Sequence, residues 1–286
     1  MARNVRTLLI FVSETVLFIF LSAAISSAVP QQPEQTISDF NLSGFGEGGR
    51  KTWEIHGESA DIFSDEIYLK DFVGTLYGQE KIILTAQKGN FNKVQNKVHL
   101  QDNVVISTES GARLTTDYLD WDRNTSLVTT EAPVDIKKDN IVTTGVGIKG
   151  DTNLKEVDLK KDVKLEINNK KNKIVITCTG PLSINYADNT AVFNKDVFAD
   201  DGQSQMYADS MEVFFEISQS DKSSGSFGGK SGKIKKIIAR GNVKIVRQDN
   251  VSFSDEAIYN ADDKTITLSG KPKLIIYSTE EIGASR

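Results

Sequence analysis

A pattern of apolar residues repeats along most of the chain, and it constrains the fold more than any other feature of the sequence. In segment 91–106 the apolar residues are Phe91, Val98, Leu100, Val104 and Ile106. The position of Val104 recurs at residues 73, 104, 134, 163, 197, 243 and 272, so the successive spacings are 31, 30, 29, 34, 46 and 29. A period of this length indicates a stack of similar structural units.

Each unit reads as two strands and two turns. Val98, Leu100, Val104 and Ile106 keep one parity, which is typical of a half-buried strand. Segments rich in Asn, Asp and Gly separate the strands, and these residue types favour turns. Such spacing is typical of a sandwich, a barrel or a β-jellyroll. We predict an all-β fold, an elongated open β-jellyroll of about seven two-strand repeats, with one N-terminal apolar helix before it.

Two segments fall outside the repeat. Arg3 and Arg6 precede a mostly apolar stretch at 8–25, and a small-x-small pattern follows it. Residues 1–30 are therefore predicted to be a signal peptide or a single-pass membrane anchor, and both interpretations place the rest of the chain outside the cytoplasm. The Gly/Ser-rich segment 218–233 accounts for the one long spacing and is predicted to be a flexible insertion.

Composition argues against several classes of function. The net charge of -5 and the pI of about 5.3 argue against a nucleic-acid-binding protein. Cys178 is the single cysteine, and His56 and His99 lie far apart, so we expect no metal site, no cofactor and no catalytic set. Segment 145–150 matches G-x-G-x-x-G, but turn residues follow it where a dinucleotide site needs a helix. We expect no enzymatic activity.

A stack of hairpins that forms two splayed, facing sheets has an apolar groove as its interior. Such a groove suits acyl chains, because burying one methylene contributes about 0.8 kcal/mol. A slip of one residue would exchange the inward and outward faces, so the face assignment itself is a prediction. The inward positions predicted to contact lipid are Phe91, Leu100, Val104, Ile106, Trp121, Val134, Ile136, Val163 and Leu165.

An open stack also leaves an unpaired strand at each end. Such strands template pairing with another chain, and β-augmentation joins partner proteins in this way. The residues predicted to lie on these partner edge strands are Phe40, Leu42, Trp53, Ile55, Leu274 and Ile276.

An ordered series of short motifs resembles the LptC family of lipopolysaccharide-transport proteins in the first part of the chain, and LptA and OstA-like domains in the later part. The LptC-like motifs include Phe40-Asn-Leu42, Gly49-Arg-Lys-Thr-Trp53-Glu-Ile55 and Leu114-Thr-Thr-Asp-Tyr-Leu119. The OstA-like motifs include Tyr207-Ala208-Asp209, Gly241-Asn242-Val243 and Ala257-x-Tyr259. The resemblance implies an LptC-like β-jellyroll at 31–180, with LptA/OstA-like repeats at 181–286 that continue the same sheet.

The resemblance also implies a function in the periplasm of a Gram-negative envelope. The protein would hold the acyl chains of lipopolysaccharide, received from the inner-membrane ABC transporter, and pass the lipid toward the outer membrane. Its partners would be the transporter subunits and another β-jellyroll bridge protein. Since the chain is longer than a typical LptC, an LptC role, an LptA role and a fused role all stay open. The alternative is a structural or protein-binding β-solenoid with a filled core and no lipid ligand.

Overall fold

The computed structural model of the protein describes residues 32–277, except 79, 110, 139, 152–155, 169–172, 186–187 and 217–232. The predicted N-terminal helix and, apart from Lys233, the predicted insertion at 218–233 lie outside the described residues. Strands make up most of the described part, which also contains a 3-10 turn at Glu47–Gly49. No helix in it has both the length and the apolar character needed to cross a bilayer. The predicted all-β fold is confirmed.

Seventeen strands form a single sheet, and every pairing in it is antiparallel. The strands are β1 Gln35–Phe45, β2 Lys51–Ile62, β3 Glu66–Tyr77, β4 Lys81–Asn92, β5 Lys97–Thr108, β6 Arg113–Asp122, β7 Leu127–Lys138, β8 Ile141–Asp151, β9 Glu156–Asn168, β10 Lys173–Cys178, β11 Leu182–Asn185, β12 Thr190–Asp200, β13 Ser204–Glu216, β14 Lys233–Arg247, β15 Asn250–Asn260, β16 Thr265–Ser269 and β17 Lys273–Ile275.

The sheet is a meander. We call each line of backbone across the sheet a row, whether it consists of one strand or of two, and each row pairs with the next row along the chain. Two rows consist of two short strands each: β10 and β11 both lie between β9 and β12, and β16 and β17 both pair with β15. The 17 strands therefore make 15 rows. Gly180 and Pro181 interrupt the first of these rows, since proline has no N–H to donate to the ladder.

Most rows bend near their middle, along a line that we call the corner. Non-glycine residues with positive φ lie there in alternate rows, including Asp102 (φ 64°), Asp162 (φ 53°) and Asn242 (φ 48°). The pairing registers shift at the same places, for instance between Gln101 and Val104 of β5. Such local irregularities bend a strand, and Asn and Asp tolerate the left-handed conformation better than most residues. The corner divides the sheet into half-sheet 1, which contains Leu100, and half-sheet 2, which contains Val104.

The core lies inside the bend, where side chains of half-sheet 1 pack against side chains of half-sheet 2 close to the corner. Leu100 and Val104, from opposite sides of the β5 bend, belong to one buried cluster that spans β1 to β6. A second cluster extends from Val134 of β7 to Ala257 of β15 and includes Leu159 and Val163, from opposite sides of the β9 bend. The interior therefore lies between the two half-sheets of one bent sheet, as in a jellyroll.

The G-x-G-x-x-G segment has a structural explanation at this corner. Gly147 has φ of 76° and forms the bend of β8. A Cβ on Gly145 would lie 2.9 Å from Leu159 Cδ2, so this glycine allows β8 to approach the side chain of β9 closely. Both glycines serve the packing of the sheet.

Candidate functional site

An unbroken line of cross-strand neighbours runs along the interior face of half-sheet 2, two residues away from the corner. We call it outer ladder 2, and it takes one residue from each of the 15 rows. Its members are Leu42, Ile55, Gly74, Leu84, Ile106, Leu114, Ile136, Thr143, Leu165, Ile176, Ala199, Met206, Ile245, Ser252 and Leu274.

Half-sheet 1 carries a matching line on its interior face, which we call outer ladder 1. Its members are Ile67, Phe91, Val98, Trp121, Val128, Gly150, Val157, Ile184, Ala191, Val213, Ile237, Tyr259 and Ile266. The two ladders are predominantly apolar. They form the two lips of the space between the half-sheets.

Burial decreases from the corner toward these lips. Val104, Val134 and Val163 adjoin the corner and are 0%, 3% and 2% exposed. Two residues farther out, Ile106, Ile136 and Leu165 are only partly buried. In these three rows the interior is therefore filled at the corner and less buried at the lip. Thr143 of outer ladder 2 and Val157, Ala191 and Val213 of outer ladder 1 are buried. Toward the C-terminal rows outer ladder 2 is more closed, because Ile176 and Ile245 are buried.

A pocket of about 200 Å³ lies at the C-terminal end of the interior. Ile245 and Ser252 of half-sheet 2 and Ile266 and Leu268 of half-sheet 1 line it. The side-chain oxygen of the neighbouring Ser254 is buried and has no hydrogen-bond partner. Arg247 and Asn250 also line the pocket, so both half-sheets face a shared space of mixed polarity at this end.

A larger concavity of about 510 Å³ lies against half-sheet 1, and its lining combines polar side chains such as His99 and Asp120 with Val98 and Trp121 of outer ladder 1. Within it, His99 Nδ1 lies 2.6 Å from Asp120 Oδ1, and Glu66 accepts a hydrogen bond from Tyr68, which lowers the pKa of the Glu66 carboxyl. In the described residues no three His, Cys, Asp or Glu side chains are grouped so that they could hold a metal ion.

The residues predicted to contact lipid all lie on the interior face, but at two depths. Leu100, Val104, Val134 and Val163 adjoin the corner and are covered by neighbouring side chains. The other five, on the outer ladders, are partly exposed: Phe91, Ile106, Trp121, Ile136 and Leu165. These five side chains are therefore partly accessible without any repacking of the core.

The predicted edge residues are placed differently from one another. Phe40 and Leu42 lie on β1, which pairs only with β2 among the described strands, and Leu274 lies on β17, which pairs only with β15. Ile276 follows β17 and is 66% exposed. Trp53 and Ile55 do not lie on an edge strand, because β2 pairs with both β1 and β3.

Sequence reasoning missed Arg123, in the turn between β6 and β7. Its guanidinium carbon lies 5.4 Å from the ring centre of Phe91 and 5.7 Å from that of Trp121. It therefore lies over outer ladder 1, where Val98 separates these two aromatic residues. A sequence signal for this contact would require the strand registers, since Phe91 and Arg123 belong to different repeats.

The sheet continues without interruption from β9 to β12. β9 pairs with β10 through residues such as Leu165 and Ile176, and with β11 through Leu159 and Leu182. Leu159, Val163, Leu182 and Phe193 belong to the same buried cluster. The described residues of segment 156–200 therefore form one packed unit.

This bent antiparallel meander, with a filled corner, apolar lips and two edge strands, defines an open β-jellyroll. The chain belongs to the LptC family: the model described as "Lipopolysaccharide-assembly, LptC-related" matches residues 7–168, more than half of the sequence. A second model, "LptA/(LptD N-terminal domain) LPS transport protein", matches residues 181–285. The predicted resemblance to both families is confirmed. The protein is a component of lipopolysaccharide transport, and neither match is to a family of enzymes.

The comparison with solved structures identifies a distant similarity. The crystal structure of LptH from Pseudomonas aeruginosa, described as the LptA-homologous periplasmic component of the lipopolysaccharide transport device, is 10% identical. The match covers 58% of this chain and 95% of LptH, with a TM-score of 0.31. No curated protein sequence shows a significant match.

Proposed function

We propose that the chain carries lipopolysaccharide through the periplasm, with the acyl chains held between outer ladder 1 and outer ladder 2. The observation that carries this proposal is the continuity of outer ladder 2 from the β1 edge to the β17 edge, with its lip partly exposed at Ile106, Ile136 and Leu165. An acyl chain bound along outer ladder 2 replaces its contacts with water by contacts with apolar side chains along the whole series of rows.

We further propose a fused role, in which 31–180 acts as the LptC-like segment and 181–286 as the LptA-like segment of a bridge between the membranes. The family matches divide at 168 and 181, and β9 pairs with β10 and β11 across that division. The lipid would come from the inner-membrane ABC transporter at the β1 end. It would leave at the β16 and β17 end toward another jellyroll.

Photo-crosslinking tests the carrier function. A benzoylphenylalanine placed at Ile106, Ile136 or Leu165 is expected to capture lipopolysaccharide in cells. The matched controls are the next residues on the same strands, Val105, Asp135 and Lys164, whose side chains point to the opposite face. Capture from the control positions alone would overturn the face assignment.

A second candidate function is a structural or protein-binding solenoid without a lipid ligand. The filled corner favours it, since Leu100, Val104 and Leu159 are at most 1% exposed. Extraction of the purified protein distinguishes the two functions. A lipid carrier retains lipopolysaccharide through purification, whereas a filled solenoid yields none and gives no crosslink from any of the six positions.

A further inference from the structure

The lip of half-sheet 1 carries two side chains whose hydrogen-bond donors have no acceptor among the described residues. Trp121 Nε1 is buried and has no hydrogen-bond partner. The guanidinium of Arg123 lies over the rings of Phe91 and Trp121, and no carboxylate of the described residues pairs with it. A buried donor left unpaired in a native structure is uncommon, because its removal from water is unfavourable unless a new hydrogen bond replaces the one to water.

The acidic side chain next to Arg123 in sequence is engaged by the backbone of its own turn. The nearest acidic side chain in sequence is Asp122, whose Oδ1 accepts hydrogen bonds from the backbone N of Asn124 at 2.9 Å and of Thr125 at 3.3 Å. Asp122 and Trp121 both line the larger concavity, together with Glu66 and Asp120. The Asp122 carboxylate is therefore used by the turn.

We propose that Arg123 and Trp121 form a binding site for a phosphate group of the carried lipid, at the point where the acyl groove opens to water. This inference rests on the proposed function, because the groove places the headgroup at the lip. Arginine offers a planar fork of N–H donors that matches phosphate oxygens, and the indole N–H adds a third donor. The aromatic rings hold the guanidinium in place before the ligand arrives.

A packing role for Arg123 makes a different prediction. The stem of an arginine covers apolar surface, so Arg123 could simply shield Phe91, Val98 and Trp121 from water. In that case Arg123→Met, which keeps an apolar stem, preserves every property of the site. The phosphate site instead requires the charge and the donors.

The test is calorimetric titration of the full chain with three probes: lipid A carrying both phosphates, lipid A from which both have been removed, and inorganic phosphate. The wild type is expected to bind the phosphorylated lipid about tenfold more tightly than the dephosphorylated lipid, as one charge-assisted interaction allows. Arg123→Met should abolish this difference, Arg123→Lys should keep part of it, and Trp121→Phe should reduce it. The control is Arg113→Met, an exposed arginine on the exterior face of the same strand, β6.

The outcomes separate the two proposals. If Arg123→Met keeps the full preference for phosphorylated lipid A, the phosphate site is wrong while the groove stands. If neither form of lipid A binds the wild type, the carrier function itself fails. If inorganic phosphate binds as tightly as phosphorylated lipid A, the ligand is free phosphate and the assignment to a lipid headgroup is overturned. Thermal melting of each variant shows whether a loss of binding reflects a loss of fold.

Discussion

Lys173 on β10 lies with its Nζ 3.0 Å from Oε2 of Glu166 on β9, so an ion pair crosses the strand pair between the two family regions. Lys164 approaches the other oxygen of the same carboxylate at 2.5 Å. The hydrogen bond from Lys164, followed by that from Lys173, lowers the pKa of the Glu166 carboxyl below its ordinary value. The charged form of Glu166 is therefore favoured in the folded protein.

This pKa shift predicts a pH dependence of stability. A carboxyl whose pKa is lowered on folding stabilises the native state at pH values above its unfolded pKa, and the contribution is lost as pH falls through the folded pKa. We expect Glu166→Gln to lower the melting temperature slightly at pH 7 and to melt like the wild type in acid. The control is Glu109→Gln, at an exposed carboxylate far from this strand pair. A melting difference that persists unchanged in acid would contradict the assignment.

Two leucines on β9 lie at different depths in the interior, so we expect one substitution to affect mainly stability and the other mainly lipid binding. Leu159 is fully buried beside the corner, so Leu159→Ala should destabilise the protein by about 2–5 kcal/mol, measured by chemical denaturation. Leu165 is partly exposed on outer ladder 2, so Leu165→Ala should cost less stability and weaken lipid binding more. Equal losses of stability from both variants would show that the lip is as tightly packed as the corner.

Most of the repeating positions predicted from the sequence lie beside the corner, because the corner has a local cause in the sequence. An Asn or Asp directly before a valine allows the bend and places the valine inside, as at Asn103-Val104, Asp162-Val163 and Asn242-Val243. In the unit that contains Val73 the repeat misplaces the inward position by one residue, because Phe72 is buried there and Val73 is not. Pro272 is exposed because no described row lies beyond the last one.

Other features could not be predicted because they depend on contacts between distant segments. Constant parity predicted that Val98 and Ile106 share one strand, and β5 contains both. The bend at Asp102 and Asn103 within that strand was not predicted, because bends and hairpin turns use the same residue types. The contact of Arg123 with Phe91 requires the registers of β4, β5 and β6 together. The depth of each inward residue depends on the opposite half-sheet, which periodicity does not describe.

The split row at Gly180 predicts a strict requirement for glycine. A Cβ there would lie 2.5 Å from the carbonyl oxygen of Asn194 and 3.0 Å from its carbonyl carbon, so backbone must move to accept it. Gly180→Ala is expected to destabilise the protein by about 1–3 kcal/mol, measured by chemical denaturation. The control is Gly78→Ala, because the nearest neighbour of its Cβ would be the carbonyl oxygen of Glu80 at 3.8 Å. Comparable stability of the two variants would count against this packing.

The reactivity of the Cys178 thiol shows whether the two half-sheets stay packed together at the corner. Its thiol is buried beside the corner, donates to the Gly180 carbonyl oxygen at 3.3 Å, and has its pKa raised by burial. Since the thiolate is the reactive form, native protein should react slowly with a disulfide reagent, and unfolded protein quickly. The rate should stay slow when lipid A is added. Rapid labelling of the folded protein would mean that the half-sheets separate at the corner.

The last row predicts where a second jellyroll docks. Leu274 is 59% exposed on β17, and β17 pairs only with β15 among the described strands, so a crosslinker there lies at an edge that can accept another strand. We expect benzoylphenylalanine at Leu274 to form adducts with a second protein chain, detected as a shift in mass in cells. Tyr207 is the matched control: it is 38% exposed, but β13 has strands on both sides. Adducts of equal yield from both positions would indicate nonspecific contact, and their absence at Leu274 would remove this edge as a docking site.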